Sequence, residues 1–97
     1  MFVVLLRYIK PLEEIDQVLE GHVQYLDKYY RESKFICSGR RNPRIGGVIL
    51  VKANSEQEVQ KIIAEDPFYI NKAAEYEIIE FKPSKYHEGF ASFIDTK

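Results

Sequence analysis

Apolar residues along this chain fall either in short runs or at helical spacing, and the switches between the two mark out six elements. Phe2 to Ile9 (FVVLLRYI) is a β-branched and aromatic run that predicts a strand. Pro11 follows, well placed for a first helical turn. From Leu12 to about Tyr30, the apolar positions Leu12, Ile15, Leu19, Val23, Leu26 and Tyr30 fall at helical spacing. Lys34 to Arg40 (KFICSGR) predicts a second strand, Arg40 to Gly47 (RRNPRIGG) a turn, and Gly47 to Ala53 (GVILVKA) a third strand. Ser55-Glu56-Gln57-Glu58 matches a capping box, so a second helix starts there and runs to about Glu65, limited by Pro67. Glu75 to Lys82 (EYEIIEFK) predicts the fourth strand, which Pro83 ends.

The order β-α-β-β-α-β predicts a ferredoxin-like α+β fold: a four-stranded antiparallel sheet with both helices on one face. One domain is expected over residues 1–97, with a core from 2 to 82 and a tail from 83. A sheet open to water on one side alternates apolar and polar residues. Val3-Val4-Leu5-Leu6 and Val48-Ile49-Leu50-Val51 do not alternate, so both faces read as buried. Two helices cover only one. The expected cover of the other is a second copy of the sheet, giving a homodimer; the tail folding over is the rival cover.

Composition narrows the function. A chain of 97 residues builds one core but no deep cleft within a single subunit. A net charge of −1 argues against nucleic-acid binding, which needs a basic surface. Cys37 is the single cysteine, so no internal disulfide forms and a reducing compartment is expected. The apolar start carries Arg7 and is too short to cross a bilayer, and no cleavable signal pattern follows. These features predict a cytoplasmic protein without a membrane partner.

Two ionisable residues break the apolar stripes of the helices. His22 falls near Ile15, Leu19 and Leu26 on the first helix, close to the centre of the inward stripe. The plainer reading is a core histidine satisfied by one backbone group. Asp66 lies seven residues beyond Val59, on the inward stripe with Ile62 and Ile63. It also stands at the helix end that carries partial negative charge, where a carboxylate is mildly unfavourable. The plainer reading is an Asp-Pro turn opener. Together they suggest more: a carboxylate beside an imidazole fixes its tautomer and makes a workable base or acid near neutral pH.

Arginines supply candidate anion contacts. Arg40, Arg41 and Arg44 surround the Pro-Gly turn, either as a solvated hairpin tip or as a clamp at a pocket mouth. Arg7, within the first strand, needs an acid of the fold or an anionic ligand. Cys37 reads as a small core residue. Two histidines and one cysteine without close ligand spacing give no structural metal site. No phosphate-binding loop follows a strand and the paired aromatic signature of RNA-binding sheets is absent, so no cofactor is expected.

Four stretches in order resemble the YciI-like (YCII-related) family: His22 in GHVQYLDKYY, the segment ICSGRRNPRIGGVILVKANS, the Asp-Pro-Phe of AEDPF, and AEYEIIEFKPSKY. The resemblance spans roughly Phe2 to Tyr86. It implies a subunit of the dimeric α/β-barrel superfamily with two sheets packed face to face. It also implies a His–Asp dyad in a pocket, here His22 and Asp66. A few relatives act as dehydrochlorinases or resemble muconolactone isomerases, moving protons on small unsaturated acids. Many members carry Gly-Pro after the second strand, whereas here Gly39 is followed by Arg40.

The resulting expectation is proton-transfer chemistry, isomerase or lyase in type, on a small organic acid. His22 is the base or acid and Asp66 orients it. Arg7 or Arg40 holds an anionic group, Ser38 and Gly39 line the site with a hydroxyl donor from Ser38, and Phe68 walls it. The rivals are a non-catalytic ligand-binding dimer, a structural module in which His22 and Asp66 only satisfy each other, and a haem-degrading or quinol-oxidising monooxygenase of the same superfamily.

Overall fold

Strand β1 (Phe2–Tyr8) follows its pleat: Phe2, Val4 and Leu6 are buried, Val3 and Leu5 are half-buried, and Arg7 is exposed. A computed structural model describes residues 1–94 of the chain. Helix α1 (Leu12–Arg31) carries Glu13 and Glu14 in its first turn and Lys28 and Arg31 in its last, matching the helix dipole. Strands β2 (Phe35–Arg40) and β3 (Gly46–Val51) form a hairpin. Helix α2 (Glu56–Ile63) is capped as its sequence predicts, with Ser55 Oγ accepting from the Glu58 amide at 3.2 Å. The Glu58 carboxylate reaches back one residue further than a capping box requires, to the Asn54 amide at 2.8 Å. Strand β4 (Ala74–Glu80) closes the sheet, and a 3₁₀ turn (Glu88–Phe93) lies in the tail.

The strands pair antiparallel in the order β2-β3-β1-β4 with helices on one face, the ferredoxin-like α+β arrangement that the pattern predicts. Phe2, Val4, Leu6, Ile49 and Val51 of the sheet pack with Ile15, Val59, Ile62 and Ile63 of the helices. Burying each such side chain contributes about 1.5–3 kcal/mol.

Between α2 and β4 the structure adds a short helix α3 (Pro67–Ile70) that the pattern did not predict. Pro67 does not merely end α2: it is the first residue of a new helical turn, whose cap is Asp66.

The inward face of α1 also departs from expectation. Leu12, Val23 and Tyr30 are exposed, whereas Tyr25 and Tyr29 are buried beside Ile15. Tyrosine buries its ring where its hydroxyl finds a partner. Tyr25 donates to the Ile62 carbonyl at 2.9 Å and Tyr29 to Glu65 at 2.6 Å, so the two rings pin α1 to α2 and to the turn that follows it. Burial, and then the Glu65 carboxylate, push the Tyr29 hydroxyl up to about 12.

The face away from the helices presents Val3 and Leu5 of β1, Val48 and Leu50 of β3 and Ile79 of β4 in adjoining register. Cys37 pairs with Leu50 on this same face and is exposed, not a core residue as expected. The bulge between Phe35 and Cys37 at this sheet edge places the thiol on the uncovered side. Among the described residues, no helix is long and apolar enough to cross a membrane.

Candidate active site

Asp66 is the one buried polar or charged residue among those described, with no solvent exposure. Its backbone is extended (φ −69°, ψ 125°) as a helix cap requires, and Oδ1 accepts from the Phe68 amide at 3.0 Å. The carboxylate therefore sits at the positive end of α3, which removes the electrostatic objection to an acid following α2. Oδ1 also meets His22 Nδ1 of α1 at 2.8 Å. Oδ2 accepts from the Tyr76 hydroxyl of β4 at 2.6 Å. Three elements thus converge on one carboxylate, and it keeps no unpaired oxygen.

An acceptor-only carboxylate on Nδ1 assigns the proton of a neutral imidazole to that nitrogen. Nε2 then carries the lone pair. The His22 ring stacks on Phe68 with centroids 4.1 Å apart and planes 15° from parallel, and Tyr8 meets the same Phe68 edge-on. Ring contacts and the carboxylate together fix the imidazole in position and in plane.

His22 and Phe68 line a cavity of about 260 Å³ between α1 and the sheet. Its walls are mostly apolar, from Leu6, Tyr8, Leu19, Leu26 and Ile49, with Ser38, Gly39 and Arg40 of β2 also lining it. The floor follows from strand register. Tyr76, Leu6, Gly47 and Arg40 are successive cross-strand partners on the helix side of β4, β1, β3 and β2. Gly47 has no side chain, so a hollow remains between Leu6 and Arg40. A Cβ there would lie 3.2 Å from the Gly39 carbonyl. The Ser38 hydroxyl is hydrogen-bonded to that of Tyr30 at 2.6 Å.

The arginines separate cleanly. Arg40 lines the cavity and has no ion-pair partner among the described residues. Arg44 is paired with Asp16, which raises its pKa, so it is already committed to an acid of the fold. Arg7 does not reach the cavity. Successive side chains of β1 point to opposite faces, and Arg7 lies across the sheet from Leu6, paired with Glu75. The expected contact of Arg7 with a ligand beside His22 is therefore corrected: an acid of the fold takes that guanidinium.

Sequence reasoning brought His22, Asp66, Ser38, Gly39, Arg40 and Phe68 to this place and missed Tyr76. Its signal was present, since Glu75 and Glu77 flank it with outward polarity and so turn Tyr76 inward. Among the described residues no group of three or more His, Cys, Asp or Glu side chains gathers as a metal site.

This is an α+β sheet protein with a buried carboxylate behind a cavity-lining imidazole. The chain belongs to the YCII-related domain family, whose model matches residues 1–82. No curated protein sequence matches it significantly. Among solved structures, it is similar to 5-chloro-2-hydroxyhydroquinone dehydrochlorinase from Burkholderia phenoliruptrix AC1100 in complex with 2,5-dihydroxybenzoquinone. That match has a TM-score of 0.68 and 19% identity, covering 84% of this chain and 94% of the other. At that identity the likeness shows the shared fold.

Proposed function

We propose that the protein carries out proton transfer, isomerase or lyase in type, on a small organic acid, with His22 as base or acid and Asp66 as its orienting partner. One observation carries this reading: His22 Nδ1 is engaged by a fully buried carboxylate while the same ring lines a cavity with Arg40. An apolar cavity of about 260 Å³ with one unpaired guanidinium suits a compact, largely apolar anion. Nε2 would take a proton from carbon or oxygen and return it elsewhere on the same molecule or to a leaving group. Arg40 would hold the carboxylate or phenolate, and the Ser38 hydroxyl would donate to a second oxygen. The similar solved structure, a 5-chloro-2-hydroxyhydroquinone dehydrochlorinase in complex with 2,5-dihydroxybenzoquinone, supports a small ligand of this kind.

The second copy belongs to the same proposal. Val3, Leu5, Val48, Leu50 and Ile79 form an apolar patch on the uncovered sheet face, and a face-to-face cytoplasmic homodimer would bury it. Sedimentation is expected to show a dimer that Val3→Glu dissociates; a monomeric wild type at micromolar concentration removes this part.

The test of the chemistry is a turnover screen of small unsaturated and hydroxylated acids with the wild type and His22→Ala. Turnover lost in the variant is expected. Turnover unchanged in His22→Ala overturns the assignment, and a ligand that binds but is returned chemically unaltered favours the non-catalytic binding protein.

A further inference from the structure

We propose that Tyr76 is a positioning residue for His22: through Asp66 it holds the imidazole in the tautomer that keeps Nε2 bare toward the cavity. This rests on the reading of His22 as the reactive group of that cavity.

The two oxygens of Asp66 are served unequally. Oδ1 takes the Phe68 amide and His22 Nδ1, at 3.0 and 2.8 Å. Oδ2 has the Tyr76 hydroxyl, at 2.6 Å. Rotation about the Cβ–Cγ bond would carry both oxygens off their donors, so the bonds on Oδ1 and the single bond on Oδ2 resist it together. That torsion is soft and roughly two-fold. Tyr76 supplies the restraint on the opposite oxygen, Oδ2. The nearby hydroxyl of Tyr25 is committed to the Ile62 carbonyl and does not replace it.

Without Tyr76, Oδ2 would be a buried acceptor with no donor, a state folded proteins avoid. The carboxylate would turn to share its partners or take a proton itself. Either change deprives Nδ1 of its fixed acceptor, and the imidazole proton redistributes between the two nitrogens. Burial and the Asp66 charge both raise the Tyr76 pKa far above that of a free phenol, so its hydroxyl remains a donor. Strand register serves the same end: Tyr76 pairs with Leu6, which lines the cavity, so one row of the sheet fixes both the floor and the support behind the imidazole.

The experiment is nitrogen NMR of the His22 ring at alkaline pH, where a free imidazole is neutral. In the wild type, one nitrogen signal should lie at the protonated position and the other at the bare position, widely separated. Tyr76→Phe keeps the ring in place and should lose most of that separation as the tautomers average. Tyr25→Phe removes a comparable buried hydroxyl that does not touch Asp66, and should retain the separation. Full separation in Tyr76→Phe, even with lowered stability, overturns the proposal and leaves Tyr76 purely structural. The wild type gives an independent check: a Tyr76 hydroxyl proton protected from solvent exchange is expected, and one in rapid exchange overturns the proposal whatever the variant does. These readouts need no substrate. A turnover indifferent to His22 would remove the proton-transfer reading and leave them untouched.

Discussion

His22 and Phe68 lie ring on ring, 4.1 Å between centroids, and Phe68 is at the same time the residue whose amide is capped by Asp66. The aromatic platform and the carboxylate that orient the imidazole therefore come from one three-residue stretch, Asp66-Pro67-Phe68. Phe68 is 1% exposed, so Phe68→Ala is expected to cost about 3–5 kcal/mol in urea unfolding. Phe68→Leu keeps much of the apolar volume and removes the stacked pair, which is worth about 0.5–1.5 kcal/mol beyond burial. A leucine variant as stable as the wild type would show that the stack carries no energy.

Close backbone approach, rather than turn geometry, makes one glycine indispensable. A Cβ on Gly46 would fall 1.8 Å from the Leu6 carbonyl oxygen, a backbone atom with no freedom to withdraw. Gly46→Ala must push β3 off β1 at the strand that floors the cavity, and is expected to cost about 3 kcal/mol or to prevent folding. Gly39 provides the contrast, since a Cβ there meets nothing within 4 Å. Gly39→Ala should leave the unfolding midpoint within the ordinary scatter of surface substitutions, about 0.5 kcal/mol. Equal losses at the two positions would contradict this account of Gly46.

Much of this arrangement was legible in the sequence, and the failures have physical causes. The element order and the inward stripe of Val59, Ile62 and Ile63 were readable because period-3.6 spacing marks the helices and short apolar runs mark the strands. His22 and Asp66 stood out for the same reason, as ionisable residues on apolar stripes. Helix α3 was not readable because Asp-Pro looks alike whether it ends one helix or begins the next. Tyr25 and Tyr29 were passed over in favour of Val23 and Tyr30 because spacing does not show which tyrosine has a hydroxyl partner across the interface. The placement of Arg7 needed only strand parity: it lies one residue from Leu6 and so on the other face. Cys37 was misplaced because a bulge breaks parity just before it.

The cap of α2 gives the protein an acid-sensitive component. The Asn54 amide, and then Lys34, hold the Glu58 carboxyl below its ordinary pKa. A depressed folded-state pKa stabilises above the unfolded value, about 4.3 for glutamate, and that contribution is lost as pH falls through the folded value. Glu58→Gln is therefore expected to be less stable than the wild type at neutral pH by about 0.5–1 kcal/mol, given the partly exposed position. The difference should shrink at an acid pH below the ordinary carboxylate range, as the wild-type carboxyl also takes up its proton. Urea unfolding of both proteins at the two pH values measures it. A gap that stays constant, or widens in acid, would rule out the carboxylate as its source.

Arg40 is the residue on which the choice of an anionic ligand rests. Three other arginines lie nearby in sequence or register. Arg44 is spent on Asp16, Arg7 on Glu75, and Arg41 lines a separate hollow with Arg7 and Glu75. Hydrogen bonds to a charged group contribute about 1.5–3 kcal/mol, so Arg40→Gln should weaken binding of a small carboxylate or phenolate by about tenfold or more. Arg40→Lys keeps the charge without the fork and should recover part of the loss. Arg40 is exposed, so the wild-type affinity should fall as salt is raised and that slope should flatten in Arg40→Gln. Arg41→Ala is the control and should bind as the wild type does. Titration of each variant by NMR, following the His22 and Phe68 signals, decides the matter. Equal losses from Arg40→Gln and Arg41→Ala would point to a diffuse positive field, and an unchanged affinity in Arg40→Gln would mean that the ligand of this cavity is not held by its charge.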